Sequence, residues 1–227
     1  MPSSPTELTI DVVSDVVCPW CFIGKRRLER AIALKPELAV TVNYRPFFLN
    51  PWVPREGMAR EQYLNMKFGS AATYMANAPR VAAAAQAEGL VYDFLSVKRQ
   101  PNTIDCHRLI RWAGEAGNAA GLKQRLMELY FTEGADLSDR RVLVAAAQQC
   151  GLDASETERR LAGDKDVDTV TAEAQSFTQK GVNGVPYFII GGIFAVSGAQ
   201  DPHVLAEAME RTLAERARRE EAEMTQA

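Results

Sequence analysis

The chain has 227 residues, 47% hydrophobic and 24% charged, with 26 basic against 29 acidic side chains and a net charge of -3. This composition excludes disorder over the bulk of the chain, and a chain of this size folds without a disulfide staple. It holds no basic excess to neutralise phosphates, which speaks against nucleic-acid binding, and its four cysteines are too few for a disulfide scaffold.

The N-terminus lacks a cationic stretch followed by an apolar one, and no run approaches the roughly 18 apolar residues of a membrane span. A cytoplasmic protein that does not enter a membrane is expected. Leu8 to Val13 (LTIDVV) reads as a strand that Ser14 and Asp15 interrupt. Cys18-Pro19-Trp20-Cys21 follows, with Pro19 suited to the first position of a helix, where its missing N–H is no loss. Leu28, Ala31 and Ile32 give that helix its apolar face. Val40 to Phe47 (VTVNYRPF) is a second strand, broken off by Pro46, Pro51 and Pro54.

From about Arg60 the texture turns helical. Gly89 ends an alanine-rich helix, and Asn102 or Thr103 starts another with Cys106, Leu109, Ile110 and Ala113 at i, i+3, i+4 and i+7. Leu122, Leu126, Leu129 and Tyr130 make a further stripe, and Leu143, Ala146, Ala147 and Cys150 the next. Ser155 and Glu158 have capping-box spacing. Val167 to Phe177 forms the last helix of this block, ending near Gly181. Val185 to Ile190 and Ile193 to Val196 then read as a hairpin turned at Gly191-Gly192. Asp201 caps and Pro202 opens a final helix, whose charged tail after Glu215 is expected to fray.

The outer pieces are each too small to stand alone. Together they make an α/β unit, residues 1–55 and 178–227, into which an all-helical domain, residues 56–177, is inserted.

A C-x-x-C that follows a strand and opens a helix is a redox arrangement. The first cysteine sits where free N–H groups and the helix dipole favour a thiolate. The second lies one turn on, placed to attack a mixed disulfide. Cys18 is therefore the candidate nucleophile and Cys21 the resolving thiol, with Pro19 stiffening the turn and Trp20 tuning the pair. Half a zinc site is the competing reading, but Cys106 and His107 are adjacent rather than spaced and Cys150 stands alone, so no metal site is read. Cys106 and Cys150 lie on apolar stripes and read as core residues. Tyr44, Phe47, Phe48 and Trp52 line either a substrate groove or ordinary packing under the proline-rich loop.

Cys18-Pro19-Trp20-Cys21-Phe22-Ile23-Gly24-Lys25 resembles the FrnE-like branch of the DsbA thiol–disulfide oxidoreductases. The similarity continues through Arg45 to Leu49 (RPFFL), Tyr63 to Gly69 (YLNMKFG), Asn102-Thr103, His107-Arg108-Leu109, Gly181 to Pro186 (GVNGVP) and Val196 to Gln200 (VSGAQ). The resemblance implies a thioredoxin-like fold with an inserted helical domain. It also implies that Val185-Pro186 is a cis peptide facing the cysteines, leaving the Val185 backbone to pair with an extended substrate segment. On the residues alone, a trans proline opening an edge strand reads as well. His107 becomes an accessory candidate, against a bland reading as a surface or satisfied core histidine. The chain departs from the family at Cys106, where alanine is usual. It also lacks the signal sequence, and the histidine before the second cysteine, that periplasmic relatives carry.

The leading expectation is a cytoplasmic oxidoreductase acting on protein or small-molecule thiols and disulfides. It needs no bound cofactor, and glutathione is a candidate co-substrate. Two alternatives stand beside it. One is a glutathione-dependent transferase or isomerase similar to the kappa-class transferases and hydroxychromene-carboxylate isomerases, which usually lack the second cysteine. The other is a non-catalytic, chaperone-like module that holds partner chains through exposed cysteines and the helical cap.

Overall fold

The computed structural model describes residues 6–226. Nine-residue strand β1 (Thr6–Ser14) leads into α1 (Pro19–Ala33), and β2 (Leu38–Pro46) returns parallel to β1. Near the other end of the chain β5 (Tyr187–Ile190) runs antiparallel to β1, and β6 (Phe194–Ser197) pairs with β5 before α9 (Pro202–Gln226). The sheet order is therefore β2-β1-β5-β6.

Alternation along the strands divides the packing between the two faces. Leu8, Ile10 and Val12 of β1 and Phe188 and Ile190 of β5 point to one face, where Leu28 and Ala31 of α1 and Leu205 and Met209 of α9 cover them. Val13, Tyr187 and Ile189 belong to the opposite face and meet Phe47, Phe177 and Val182.

Between β2 and β5 lie α2 (Arg60–Phe68), α3 (Ala71–Ala87), α4 (Ile104–Glu115), α5 (Ala119–Phe131), α6 (Arg140–Gln149), α7 (Ala154–Ala162) and α8 (Val167–Gln179). This segment is not purely helical. Met58–Ala59 (β3) and Arg99–Gln100 (β4) form a two-stranded antiparallel ribbon. Strands of two residues are too short to leave a periodic trace in sequence. Gly57, at φ 75°, makes the ribbon's close approach feasible, since a Cβ there would stand 2.9 Å from the Gln100 carbonyl oxygen.

Two local readings change. The cap of α7 is Asp153 rather than Ser155, its carboxylate accepting from Glu156 N–H at 2.7 Å. Asp-x-x-Glu makes the same kind of N-terminal signal two residues earlier. The charged tail after Glu215 remains helical to Gln226, with Glu215 paired to Arg218 and Arg219 one turn on.

The largest buried cluster is not confined to the helical segment. It joins Val16, Val17, Cys18, Cys21, Phe22 and Ile23 to Cys106, Leu109, Leu122, Leu126, Tyr130 and Leu143. The C-x-x-C turn is thus packed into the seam between the α/β unit and the helices.

Candidate active site

The chain leaves β1 at Ser14 and reaches Cys18, the N-cap of α1, with φ -93° and ψ 113°. No side chain caps this helix; Pro19 occupies its first position, and the Cys18 carbonyl accepts from Cys21 N–H at 3.0 Å and Phe22 N–H at 3.2 Å. The antiparallel register places Val13 opposite Tyr187, which carries Pro186 to the end of β1 from which the chain turns to Cys18. The Val185–Pro186 peptide is cis, and Val185 O lies 3.5 Å from Cys18 Sγ, accepting its S–H. The Val185 carbonyl is therefore engaged while Cys18 is protonated and is released when the thiolate forms.

Two of the sequence stretches that carry the family resemblance meet here for steric reasons. A Cβ on Gly24 would stand 2.8 Å from Pro186 Cγ, so only glycine lets α1 approach the proline loop this closely. From the other side, Gly198 N–H donates to Pro186 O at 2.8 Å and Arg27 donates to Ala199 O at 2.6 Å, which ties the Ser197–Gln200 turn to the same loop.

Both cysteines of the turn are buried, Cys18 4% and Cys21 2% exposed, which corrects the picture of exposed cysteines on a holding module. Burial normally pushes a thiol pKa up. Cys18 is nevertheless held below its ordinary value, chiefly because the Cys21 S–H donates to it, with help from the Cys21 and Trp20 backbone N–H groups; burial and the charge of Asp15 oppose this. Cys21 is pushed well up by burial, by donating to Cys18 and by the Cys18 charge, while Lys123 and the Asp15 backbone pull the other way. The two thiols of the turn are therefore shifted in opposite directions.

Trp20 is half-buried against the main cluster, with the Arg80 guanidinium 5.6 Å from its ring centre. His107 is buried; its Nε2 donates to Asp15 Oδ1 at 3.4 Å, and Phe48 packs edge-on against its ring at 5.7 Å. It is linked to the cysteine turn through Asp15, which is fully buried, accepts from Leu49 N–H at 2.8 Å and, through its own carbonyl, from Cys18 N–H at 3.3 Å. Arg108 serves the fold rather than the chemistry. Its guanidinium donates to the carbonyls of Arg160, Gly163 and Lys165, each at 2.7 Å, and so closes the α7–α8 connection.

The aromatic residues around the proline-rich loop do not form one groove. Tyr44 lies under Lys123, Phe47 joins the small core with Phe177, and Trp52 stacks on Tyr63 at 5.7 Å. Phe48 lines a cavity of about 600 Å³ with Asn50, the start of α4 and one side of α8, and neither cysteine belongs to its wall. Cys106 is wholly buried, as its stripe predicted, whereas Cys150 is half-buried at the C-terminal cap of α6.

Sequence reasoning missed two charged residues of this centre. Asp15 was visible only as a break in a strand, and Lys123 only as a polar residue beside the apolar stripe of α5, yet Lys123 is 1% exposed.

The fold and the dithiol turn define a thioredoxin-fold protein of the DsbA type. The chain belongs to the DSBA-like thioredoxin domain family, which matches residues 9–210. It is 32% identical to the probable DsbA oxidoreductase SCO1869 of Streptomyces coelicolor, with a TM-score of 0.83 over 92% of this chain and 91% of that one. The Uncharacterized protein YwbO of Bacillus subtilis (strain 168) is 27% identical over 202 residues, 88% of this chain and 94% of its own. The cytosolic disulfide reductase DsbM of Pseudomonas aeruginosa, solved with GSH, shares the fold at 17% identity and a TM-score of 0.61, over 91% of this chain and 99% of that one. Among the described residues no helix is long and apolar enough to cross a membrane.

Proposed function

We propose that this protein exchanges a Cys18–Cys21 dithiol for the disulfide of a protein or small-molecule substrate. The Cys18 thiolate attacks one sulfur of the substrate disulfide, the S–S bond breaks, the other substrate sulfur leaves as a thiolate, and a mixed disulfide with Cys18 remains. Cys21 then attacks Cys18 Sγ, the substrate sulfur leaves as a thiolate, and the Cys18–Cys21 disulfide remains. What supports this reading is the placement of Cys18 as the N-cap of α1, its carbonyl accepting from Cys21 N–H one turn on and its Sγ 3.5 Å from Val185 O before Pro186, in a chain of the DSBA-like family. Val185, beside Cys18, offers backbone groups to an extended substrate. Pro19 and Trp20 set the stiffness and apolar surroundings of the turn.

Glutathione is the co-substrate we propose for returning electrons, in keeping with the GSH bound by DsbM, and the cytoplasm is the compartment where such a couple works. The test is a titration of the Cys18–Cys21 pair against glutathione redox buffers, read by thiol alkylation. A reversible two-thiol transition is expected. Absence of any Cys18–Cys21 disulfide sinks the reading, and full activity of Cys21→Ser with tight glutathione binding would replace it with a transferase or isomerase.

A further inference from the structure

The cavity beside Phe48 plays no part in thiol exchange as described above. Its volume of about 600 Å³ is that of a small-molecule site. Phe48, Pro51, Ile104 and Ala174 give it an apolar body, and none of its lining side chains is charged. Cys18, Cys21 and Val185 all lie outside its wall, so an occupant of the cavity is independent of the dithiol.

One end of this cavity gathers donors that lack acceptors. Asn50 belongs to the wall and is 6% exposed. Its Oδ1 accepts from Tyr63 Oη at 3.2 Å and from Lys67 Nζ, both on α2 and both outside the wall. The amide nitrogen is thereby turned the other way, towards the cavity, and Nδ2 is buried with no hydrogen-bond partner among the described residues. Buried donors are normally satisfied. The Lys67 ammonium on Oδ1 polarises the amide and makes Nδ2 the stronger donor. The start of α4 reaches the same cavity through Asn102, Thr103 and Ile104. Thr103, 5% exposed, is the N-cap, yet its side chain caps no N–H. Asn102 Oδ1 accepts from Ile104 N–H at 3.0 Å, and the first turn beyond it keeps the partial positive charge of a helix start. Asp105, the acid of that turn, is turned to Arg55 and Arg108 instead.

We propose that this cavity is a binding site for a small carboxylic acid with an apolar body. The carboxylate accepts from Asn50 Nδ2, from the Thr103 hydroxyl and from the start of α4, while the apolar body lies against Phe48, Pro51 and Ile104. The amide acceptors at this end are already taken, Asn50 Oδ1 by two donors and Asn102 Oδ1 by Ile104 N–H, so a cation finds no partner there. The helix start and the Lys67 charge behind Asn50 favour an anion over a neutral carbonyl, and no acidic side chain in the wall opposes it.

The test is a calorimetric titration of the full chain with phenylbutyrate, with phenylbutyramide and acetate as controls. Phenylbutyrate is expected to bind with a Kd of about 1 mM or tighter. The amide lacks the charge and acetate lacks the apolar body, and each is expected to bind at least about tenfold more weakly. Asn50→Leu removes the free donor and should weaken phenylbutyrate binding by about tenfold or more. Asn50 also holds Tyr63 and Lys67, so a second variant keeps the test clear of folding. Gln175 lines the cavity from the exposed side of α8, and Gln175→Trp should fill the space and abolish binding with the urea unfolding midpoint unchanged. The proposal is overturned if phenylbutyrate does not saturate the protein by about 10 mM, if the amide binds as tightly as the acid, or if Gln175→Trp binds like wild type.

Discussion

Two helix starts in this molecule carry a buried cysteine, and the two thiols behave oppositely. Cys18 is the N-cap of α1 and Cys106 is the third residue of α4, and neither is more than 4% exposed. Cys18 is held below the ordinary thiol range and Cys106 is driven well above it. Burial is common to both, so it does not decide reactivity. At the cap the sulfur receives the Cys21 S–H and the free N–H groups of the first turn. Three positions further in, Cys106 adds no strong donor to its burial, and the neighbouring charges of Asp105 and Asp15 raise its pKa further. The start of a helix activates a thiol only where the sulfur faces the unpaired donors.

Four substitutions test that contrast. Cys18→Ser removes the nucleophile, and reduction of insulin disulfides should fall to the uncatalysed rate. Arg108→Met in α4 strips the guanidinium from three carbonyls and should destabilise the fold by roughly 3–5 kcal/mol in urea unfolding. Gly24→Ala pushes a methyl against Pro186 and should destabilise by about 1–3 kcal/mol, with a loss of exchange rate larger than that of a surface control. Cys106→Ala is the smallest change: exchange rates should stay within about twofold, and a larger loss would mean that the second helix start takes part in the chemistry.

The contrast also makes a pH prediction. The thiolate of Cys18 is stabilised chiefly by the Cys21 S–H, so its alkylation should have a midpoint below the usual thiol value of 9.0. Cys21→Ala removes that donor and should move the midpoint up, whereas Cys21→Ser supplies an O–H in its place and should move it less. A Cys21→Ala midpoint equal to wild type would show that the backbone N–H groups alone stabilise the thiolate.

Much of the site was legible before folding. Cys18-Pro19-Trp20-Cys21 after LTIDVV states a strand, a turn and a helix cap, and the stripe of Leu122, Leu126, Leu129 and Tyr130 states a buried helix face. The α7 cap was misplaced by two residues because Asp153 and Ser155 are both good caps, and only the helix axis distinguishes them. The fate of the aromatic residues was not legible either. Tyr44, Phe47, Phe48 and Trp52 are close in sequence, but strand alternation and the following turns send them to four different neighbourhoods.

The sequence by itself determined the longer elements, the C-x-x-C turn at a helix start and the family, because these rest on local periodicity, helix-end chemistry and motif spacing. Only the tertiary structure decided what surrounds the pair. Val185 lies 167 residues from Cys18 in sequence and reaches it through the β1–β5 register. Lys123 is charged, mid-helix and followed by Gln124 and Arg125, a pattern that ordinarily means a solvated face. The packing of α5 against α1 and β2 turns that face inward, and no local property of the chain encodes that docking.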